Sequence, residues 1–109
     1  MILADTSVWI NHFRMASSGM IGLLTAGRVV MHDHVLGELA LGSLKNRAAT
    51  LEELADLPRG LLATDEEVRS FIESRRLFGR GIGYTDAHLL ASVLLGEAVA
   101  LWTQDSRLA

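Results

Sequence analysis

The order of short apolar runs along the chain constrains its fold more than any other feature. Residues 1–4, 29–31 and 98–103 are apolar stretches of the length of buried strands, and segments with a helical spacing of apolar residues separate them. Strands that alternate with helices are typical of a parallel sheet covered by helices. The sequence therefore predicts the α/β class, in which ligands gather at the carboxyl ends of the strands.

Capping residues predict where the helices begin. A hydroxyl or carboxylate just before a helical run can accept a hydrogen bond from a free backbone N–H of the first turn. Thr64 also has an acid three residues later, which is the pattern of a capping box. In chain order the predicted caps are Thr6 or Ser7, Ser17 with Ser18, Asp33, Thr64 and Thr85.

Composition places the chain among small globular proteins and excludes several classes of function. Its 109 residues suffice for one core, so we expect a single domain over residues 1–109. The net charge of −3 excludes a binder driven by bulk positive charge, although a local basic patch stays possible. The chain has no cysteine, which fits a reducing compartment, and no apolar run approaches the ~18 residues of a membrane span. We therefore expect a cytoplasmic protein without a membrane partner.

Four acids occupy unusual positions in this pattern. Asp5 ends the first strand, Glu38 lies inside an apolar helix, Asp86 lies in the first turn of the most apolar helix, and Asp105 follows the last strand by two residues. In a parallel sheet Asp5, Asp86 and Asp105 converge at one edge. Carboxylates packed together repel one another, and a divalent cation removes that penalty. Ligands that are all oxygen favour Mg²⁺ or Mn²⁺.

Each acid also has a purely structural interpretation. Asp86 can be a helix-start charge favoured by the helix dipole, and Asp5 can be an N-cap. Glu38 can be a solvated helix residue, and Asp105 can form a turn. The alternation of His32 and His34 could place two metal ligands on one strand face. We favour polar residues at a strand end instead, because no third nitrogen ligand is near in sequence.

Three arginines flank a loop that has glycine at three of the five positions 79–83. Arg75, Arg76 and Arg80 form either a solvated face or a patch that contacts phosphate beside the acidic site. The planar fork of arginine suits phosphate better than the ammonium of lysine does. We keep both interpretations of these arginines.

Four motifs, spread in order over nearly the whole chain, carry a resemblance to a known family. They are MILADTSVWI at 1–10, VLGELALG at 35–42, YTDAHLLAS at 84–92 and LWTQD at 101–105. Together they resemble the PIN-domain ribonucleases, and in particular the VapC toxins of type II toxin–antitoxin systems. The resemblance implies a three-layer α/β/α sandwich with a short central parallel sheet. Family members usually continue past the fourth acid with another helix and a strand, so we expect residues 1–109 to be a PIN domain without that last helix and strand.

The resemblance also implies a site and partners. The acidic quartet of the family falls on Asp5, Glu38, Asp86 and Asp105, as catalytic residues and as ligands of Mg²⁺ or Mn²⁺, with Thr6 and Thr103 in support. Family members cleave RNA, are usually homodimers and are inhibited by a VapB antitoxin. The arginine patch, Arg75, Arg76 and Arg80, would then contact the RNA.

These inferences lead to one favoured function and two alternatives. The favoured function is a toxin of a type II toxin–antitoxin system that acts as a metal-dependent endoribonuclease. The alternatives are a catalytically silent PIN-type interaction module and a housekeeping PIN nuclease of RNA processing. Phosphatases with an aspartate nucleophile are disfavoured, because they need a second acid two residues after the first, where this chain has Ser7.

Overall fold

A three-stranded parallel sheet organises the protein. The structure is a computed structural model that describes residues 1–96 and 99–104. Its strands are β1 (Ile2–Ala4), β2 (Val29–Val30) and β3 (Ala100–Trp102), in the order β2–β1–β3. Ile2 pairs with Val29 on one side of β1 and with Ala100 on the other. Since all pairing is parallel, the three carboxyl ends lie at one edge, as the sequence predicts.

Six helices complete the described part of the chain. They are α1 (Thr6–Arg14), α2 (Ser18–Thr25), α3 (Asp33–Leu41), α4 (Arg47–Ala55), α5 (Asp65–Arg75) and α6 (Tyr84–Leu95). The α/β class with a short central parallel sheet is therefore confirmed. None of these helices is long and apolar enough to cross a membrane.

Two of the predicted helix caps form as expected. The Ser17 hydroxyl accepts the N–H of Met20 at 3.3 Å at the start of α2. Thr64 and Glu67 form a complete capping box at the start of α5, because each side chain accepts the other residue's backbone N–H, at 3.1 and 3.0 Å. Short polar side chains therefore satisfy N–H groups that would otherwise have no partner within these helices.

Three other predicted caps are wrong by one to two residues. The cap of α1 is Asp5, whose Oδ1 accepts the N–H of Val8, and Thr6 is already helical. The cap of α3 is His32, and Asp33 is the first helical residue. Helix α6 begins at Tyr84 after Gly83, so Thr85 lies within its first turn. In the first two cases the residue before the expected cap is extended and presents a ring nitrogen or carboxylate to the helix.

The strand boundaries also differ slightly from the predicted ones. Met31 does not extend β2 along β1 but makes an isolated bridge with Arg59. Strand β3 covers Ala100–Trp102, so it is shorter than the predicted 98–103, and position 98 lies outside the described residues. Asp105 lies outside them too.

The core lies between the sheet and the helices that cover it. Leu3 from the central strand, Trp9 from α1 and Leu89 from α6 belong to the main buried cluster. A second cluster joins α5 to α6 through Val68 and Phe71. This packing fixes α1 and α6 beside the carboxyl edge of β1, where the predicted acids are.

Removing side-chain volume from β1 should therefore destabilise the whole domain. Leu3 is fully buried, whereas 89% of Leu41 is exposed. We expect Leu3→Ala to lower the free energy of unfolding by about 3 kcal/mol, through lost burial and a residual cavity. Leu41→Ala removes the same atoms from the surface and should change it by less than about 0.5 kcal/mol. Urea denaturation of both variants measures the difference, and equal losses would contradict the assignment of the core.

Candidate active site

Asp5 is the most tightly held acid of the site. Its side chain is 5% exposed and lies between the end of β1 and the first turn of α1. Oδ1 accepts the N–H of Val8 at 3.1 Å and the hydroxyl of Ser7 at 2.7 Å. Oδ2 accepts the hydroxyl of Thr103, which follows β3. These donors fix the carboxylate in one orientation and offset the cost of its burial.

Glu38 reaches the site from α3. Its Oε1 accepts the hydroxyl of Thr6 at 2.7 Å, which joins the middle of α3 to the first residue of α1. Glu38 is exposed, as its structural interpretation expects, but this bond aims its carboxylate toward the carboxyl edge of the sheet. Thr6 therefore has a definite role, since it orients an acid 32 positions away in sequence.

Asp86 and Gln104 complete the group. Asp86 is half-buried in the first turn of α6. Gln104 follows β3, and its side-chain oxygen accepts the amide N–H of Asn11 in α1. Sequence reasoning missed Gln104 and Asn11. The position of Gln104 beside Asp105 in the motif LWTQD was the one available signal for Gln104.

Three of the four predicted acids face one open cavity of about 450 Å³. The side chains that line it are Asp5, Thr6, Ser7, Ile10, Glu38, Asp86 and Gln104. The structure therefore brings Asp5, Glu38 and Asp86 together, and it places Thr103 behind Asp5. Among residues 1–96 and 99–104, the lining contains three carboxylates and no lysine or arginine. Such a concentration of negative charge favours a bound cation.

The donors of this cavity fit a hard divalent cation. All its polar groups are carboxylate, hydroxyl or amide, and therefore offer oxygen, the ligand that Mg²⁺ and Mn²⁺ prefer. Within residues 1–96 and 99–104, no three Asp, Glu, His or Cys side chains are close enough together to hold one ion directly. Mg²⁺ commonly takes one or two carboxylates and keeps several waters, so a looser set of acids suits it.

A histidine network, which sequence reasoning did not anticipate, ties together the helices that carry the acids. His32 is fully buried, and its Nδ1 accepts the N–H of His34 at the start of α3. The ring of His34 stacks on that of His88 from α6, with centroids 4.1 Å apart. Nε2 of His88 lies 3.2 Å from Asp65 of α5, which also accepts the hydroxyl of Tyr84 at 2.6 Å. These contacts hold α3 and α6, and so Glu38 and Asp86, in fixed relative positions.

Burial controls the protonation of His32. Desolvation, with repulsion from His34 and His88, lowers the pKa of His32 from 6.5 to about 4, although Asp33 opposes the shift. The hydrogen bonds from Tyr84 and His88 lower the pKa of the Asp65 carboxyl below its ordinary value. His32 is therefore neutral near pH 7, which leaves its Nδ1 free of a proton and able to accept the backbone N–H.

The arginines that the sequence singles out lie in another region. Arg75 and Arg80 line a separate cavity between α5 and α6, which shares no lining residue with the acidic cavity. Arg76 ends α5 in the left-handed region, with φ of 52°. The guanidinium of Arg75 lies 5.6 Å from the centre of the Phe71 ring. Contact of these arginines with RNA stays a prediction.

Comparison with known proteins agrees with this fold. Residues 2–109 match the family described as PIN domain, so the chain belongs to the PIN-domain family. The chain is 47% identical over 108 residues to Ribonuclease VapC32 of Mycobacterium tuberculosis (strain CDC 1551 / Oshkosh), and equally to Ribonuclease VapC32 of strain ATCC 25618 / H37Rv. The alignments cover 99% of this chain and 87% of each relative. The resemblance to VapC proteins that the four motifs indicate is thereby confirmed.

The lowered pKa of His32 predicts a loss of stability in mild acid. Below pH 6.5 the unfolded chain binds a proton at this residue, whereas the folded chain does so only near pH 4. The contribution of His32 to the free energy of unfolding is therefore complete above pH 6.5. It should fall by on the order of 3 kcal/mol as the pH decreases to about 4.

His32→Asn isolates this effect, because the asparagine side-chain oxygen can still cap α3 but does not titrate. Urea denaturation between pH 4 and 7 should show a flatter pH dependence for the variant than for the wild type. Identical curves for the two proteins would show that His32 is protonated equally in the folded and unfolded states.

Proposed function

We propose that this chain is a VapC toxin of a type II toxin–antitoxin system, and that it hydrolyses phosphodiester bonds of RNA as a metal-dependent endoribonuclease. The observation that carries the proposal is the convergence of Asp5, Glu38 and Asp86 on one cavity at the carboxyl edge of the sheet. Its support is membership of the PIN-domain family and the 47% identity to relatives named ribonuclease. Because these relatives are named ribonuclease, the similarity favours an active enzyme over a catalytically silent interaction module.

In this proposal the acids hold one or two divalent cations, Mg²⁺ or Mn²⁺. Asp5, Glu38 and Asp86 would be ligands, and Asp105, which lies outside the described residues, would be the fourth acid. A bound cation lowers the pKa of its water and stabilises the charge that grows on the phosphate.

The surrounding side chains would hold the carboxylates in the orientation that metal binding requires. Thr103 and Ser7 hold the Asp5 carboxylate by hydrogen bonds, and Thr6 holds Glu38. A carboxylate that is not committed to the cation can accept a proton from the attacking water while the P–O bond to the leaving oxygen breaks. Because the cavity is open, a phosphate of an RNA strand can reach the acids without unfolding of the protein.

Substitution of the acids by their amides tests this proposal. Asp5→Asn and Asp86→Asn should each lower the rate of RNA cleavage by more than about a hundredfold. Each removes the negative charge of a proposed metal ligand, and loss of a residue that only supports a ligand already costs roughly 10- to 100-fold in activity. Asparagine retains a side-chain oxygen that can cap α1, so the fold should persist. Asp56→Asn is the matched control, since Asp56 is exposed at the end of α4 and lines neither cavity.

Total RNA incubated with each purified protein, with Mg²⁺, Mn²⁺ or EDTA, gives the readout. We expect discrete fragments from the wild type and from Asp56→Asn in the presence of either cation. EDTA should abolish the fragments and excess Mn²⁺ should restore them. Undiminished cleavage by a folded Asp86→Asn protein would refute the assignment of the acids.

We further propose that the chain works in the cytoplasm, where its RNA substrate is, and that a VapB-type antitoxin inhibits it. A homodimer is also part of the proposal. Its support is the number of large apolar side chains that are about half exposed, among them Phe78, Leu94 and Leu95. Surfaces of this kind often mark sites of association.

The dimer is checked by sedimentation velocity. The purified chain should sediment as a species of twice its 11.9 kDa mass, and Leu94→Lys should shift it toward the monomer by placing a charge in the apolar surface. Leu41→Lys, at a more exposed leucine on α3, is the control for added charge. A wild-type protein that stays monomeric throughout its soluble range would contradict the dimer.

A further inference from the structure

A larger groove opens beside the acidic cavity. It has a volume of about 770 Å³ and lies between the second half of α1, the end of α3 and the connection from α3 to α4. We call it the α1–α4 groove. Its size falls within the ~300–1,000 Å³ of ordinary ligand pockets. The function proposed above leaves it unexplained.

The α1–α4 groove adjoins the acidic cavity. Ile10 and Glu38 line both, so these two side chains lie at the boundary between them. A phosphodiester chain with one phosphate at the acids can therefore extend directly into the groove. The cavity that contains Arg75 and Arg80 has no such connection.

Two cations give this groove the charge that an RNA backbone requires. Arg14 ends α1 and Lys45 lies between α3 and α4, and both side chains are exposed. Neither forms a salt bridge with an acid in the described part of the chain, whereas Arg59 is paired with Asp33. Since the charged side chains that line the acidic cavity in the described part of the chain are all carboxylates, this pair marks the side from which a polyanion can approach.

Phe13 supplies a surface for a base. It lines the groove, and 39% of it is exposed. Trp9 and His12 support the ring, with centroids 5.9 and 6.0 Å away. An aromatic ring that is fixed from behind and open in front is a platform on which a nucleobase can stack.

From these observations we propose that the α1–α4 groove binds the RNA nucleotides next to the cleaved phosphate, with a base against Phe13 and backbone phosphates against Arg14 and Lys45. This inference rests on the proposed ribonuclease function. It assigns to Arg14 and Lys45 a positioning role, in that they hold the strand so that one phosphate reaches the acids.

Salt dependence of RNA binding tests the two cations. The probe is a fluorescein-labelled single-stranded RNA of twelve nucleotides and mixed sequence, and its anisotropy is measured with Asp86→Asn protein at a fixed Mg²⁺ concentration. Each lost phosphate contact should reduce the slope of log Kd against log NaCl by about 0.7. Arg14→Gln and Lys45→Gln should each show this reduction, and the double variant about 1.4.

Arg28→Gln is the matched control for charge. Arg28 is exposed and precedes β2, so it lies at the amino edge of the sheet, away from the acids. Arg28→Gln should therefore leave the slope of log Kd against log NaCl unchanged. The three substituted side chains are all exposed, and thermal unfolding checks that each variant is folded.

The role of Phe13 is tested by the dissociation constant of the RNA, because a stacking contact does not change the salt dependence of binding. Phe13→Leu keeps an apolar contact with Trp9 but removes the stacking surface, so it should weaken RNA binding roughly tenfold without changing the slope. Phe13→Tyr should retain wild-type affinity. With RNA that contains 5-iodouridine, ultraviolet crosslinking of the wild type should modify the peptide that contains Phe13.

Four outcomes decide between the possibilities. Reduced slopes for Arg14→Gln and Lys45→Gln, with Arg28→Gln unchanged, support the inference. If Arg14→Gln and Lys45→Gln leave the salt slope unchanged while the wild type cleaves RNA, the groove inference is overturned and the ribonuclease function stands. In that case, a reduced slope for the Arg75→Gln, Arg80→Gln double variant would place the RNA between α5 and α6. Groove variants that keep RNA binding but lose an antitoxin would make the groove a protein-binding site. A wild type that neither binds nor cleaves RNA overturns both proposals.

Discussion

Strand β1 runs parallel to β2 and β3, and this pairing brings the carboxyl ends of all three to one edge of the sheet. Asp5 lies at that edge, directly after β1, and is the N-cap of α1. Its backbone N–H donates to Trp102 in β3 at 3.0 Å, and its carboxylate accepts from both Val8 and Thr103. One residue thus joins strand, helix and neighbouring strand, so the position of the first acid follows from the hydrogen bonds of the fold itself.

The other acids depend on how the helices pack. Glu38 and Asp86 belong to α3 and α6, which contact each other through the stacked rings of His34 and His88. His32 fixes the start of α3 only while it is neutral, which burial ensures near pH 7. The acidic cavity therefore depends on histidine side chains that are not among its described lining residues.

Charge is distributed unevenly around the site. The acidic cavity concentrates carboxylates, and the α1–α4 groove next to it holds Arg14 and Lys45. A net charge of −3 hides this arrangement, because it averages over the whole surface. In the proposed ribonuclease, cations beside the acids would attract an RNA strand to the site more effectively than overall positive charge would.

The sequence by itself determined the α/β class, the parallel sheet and the convergence of Asp5 and Asp86 at one edge, whereas Glu38 was assigned to the same site only through the family resemblance. Apolar runs and helix caps are local signals that predict strands and helices. If the strands pair in parallel, their carboxyl ends must lie at the same edge of the sheet. The sequence offered Asp5 as one of several possible caps of α1 and did not predict His32 as the cap of α3, because a cap depends on the exact residue at which the extended chain becomes helical. Only the tertiary structure decided that Thr6 bonds to Glu38, that three histidines meet, and that the groove beside the acids carries Arg14 instead of Arg75. Contacts of this kind join residues far apart in the chain, so they follow from the packing of whole helices and no local pattern encodes them.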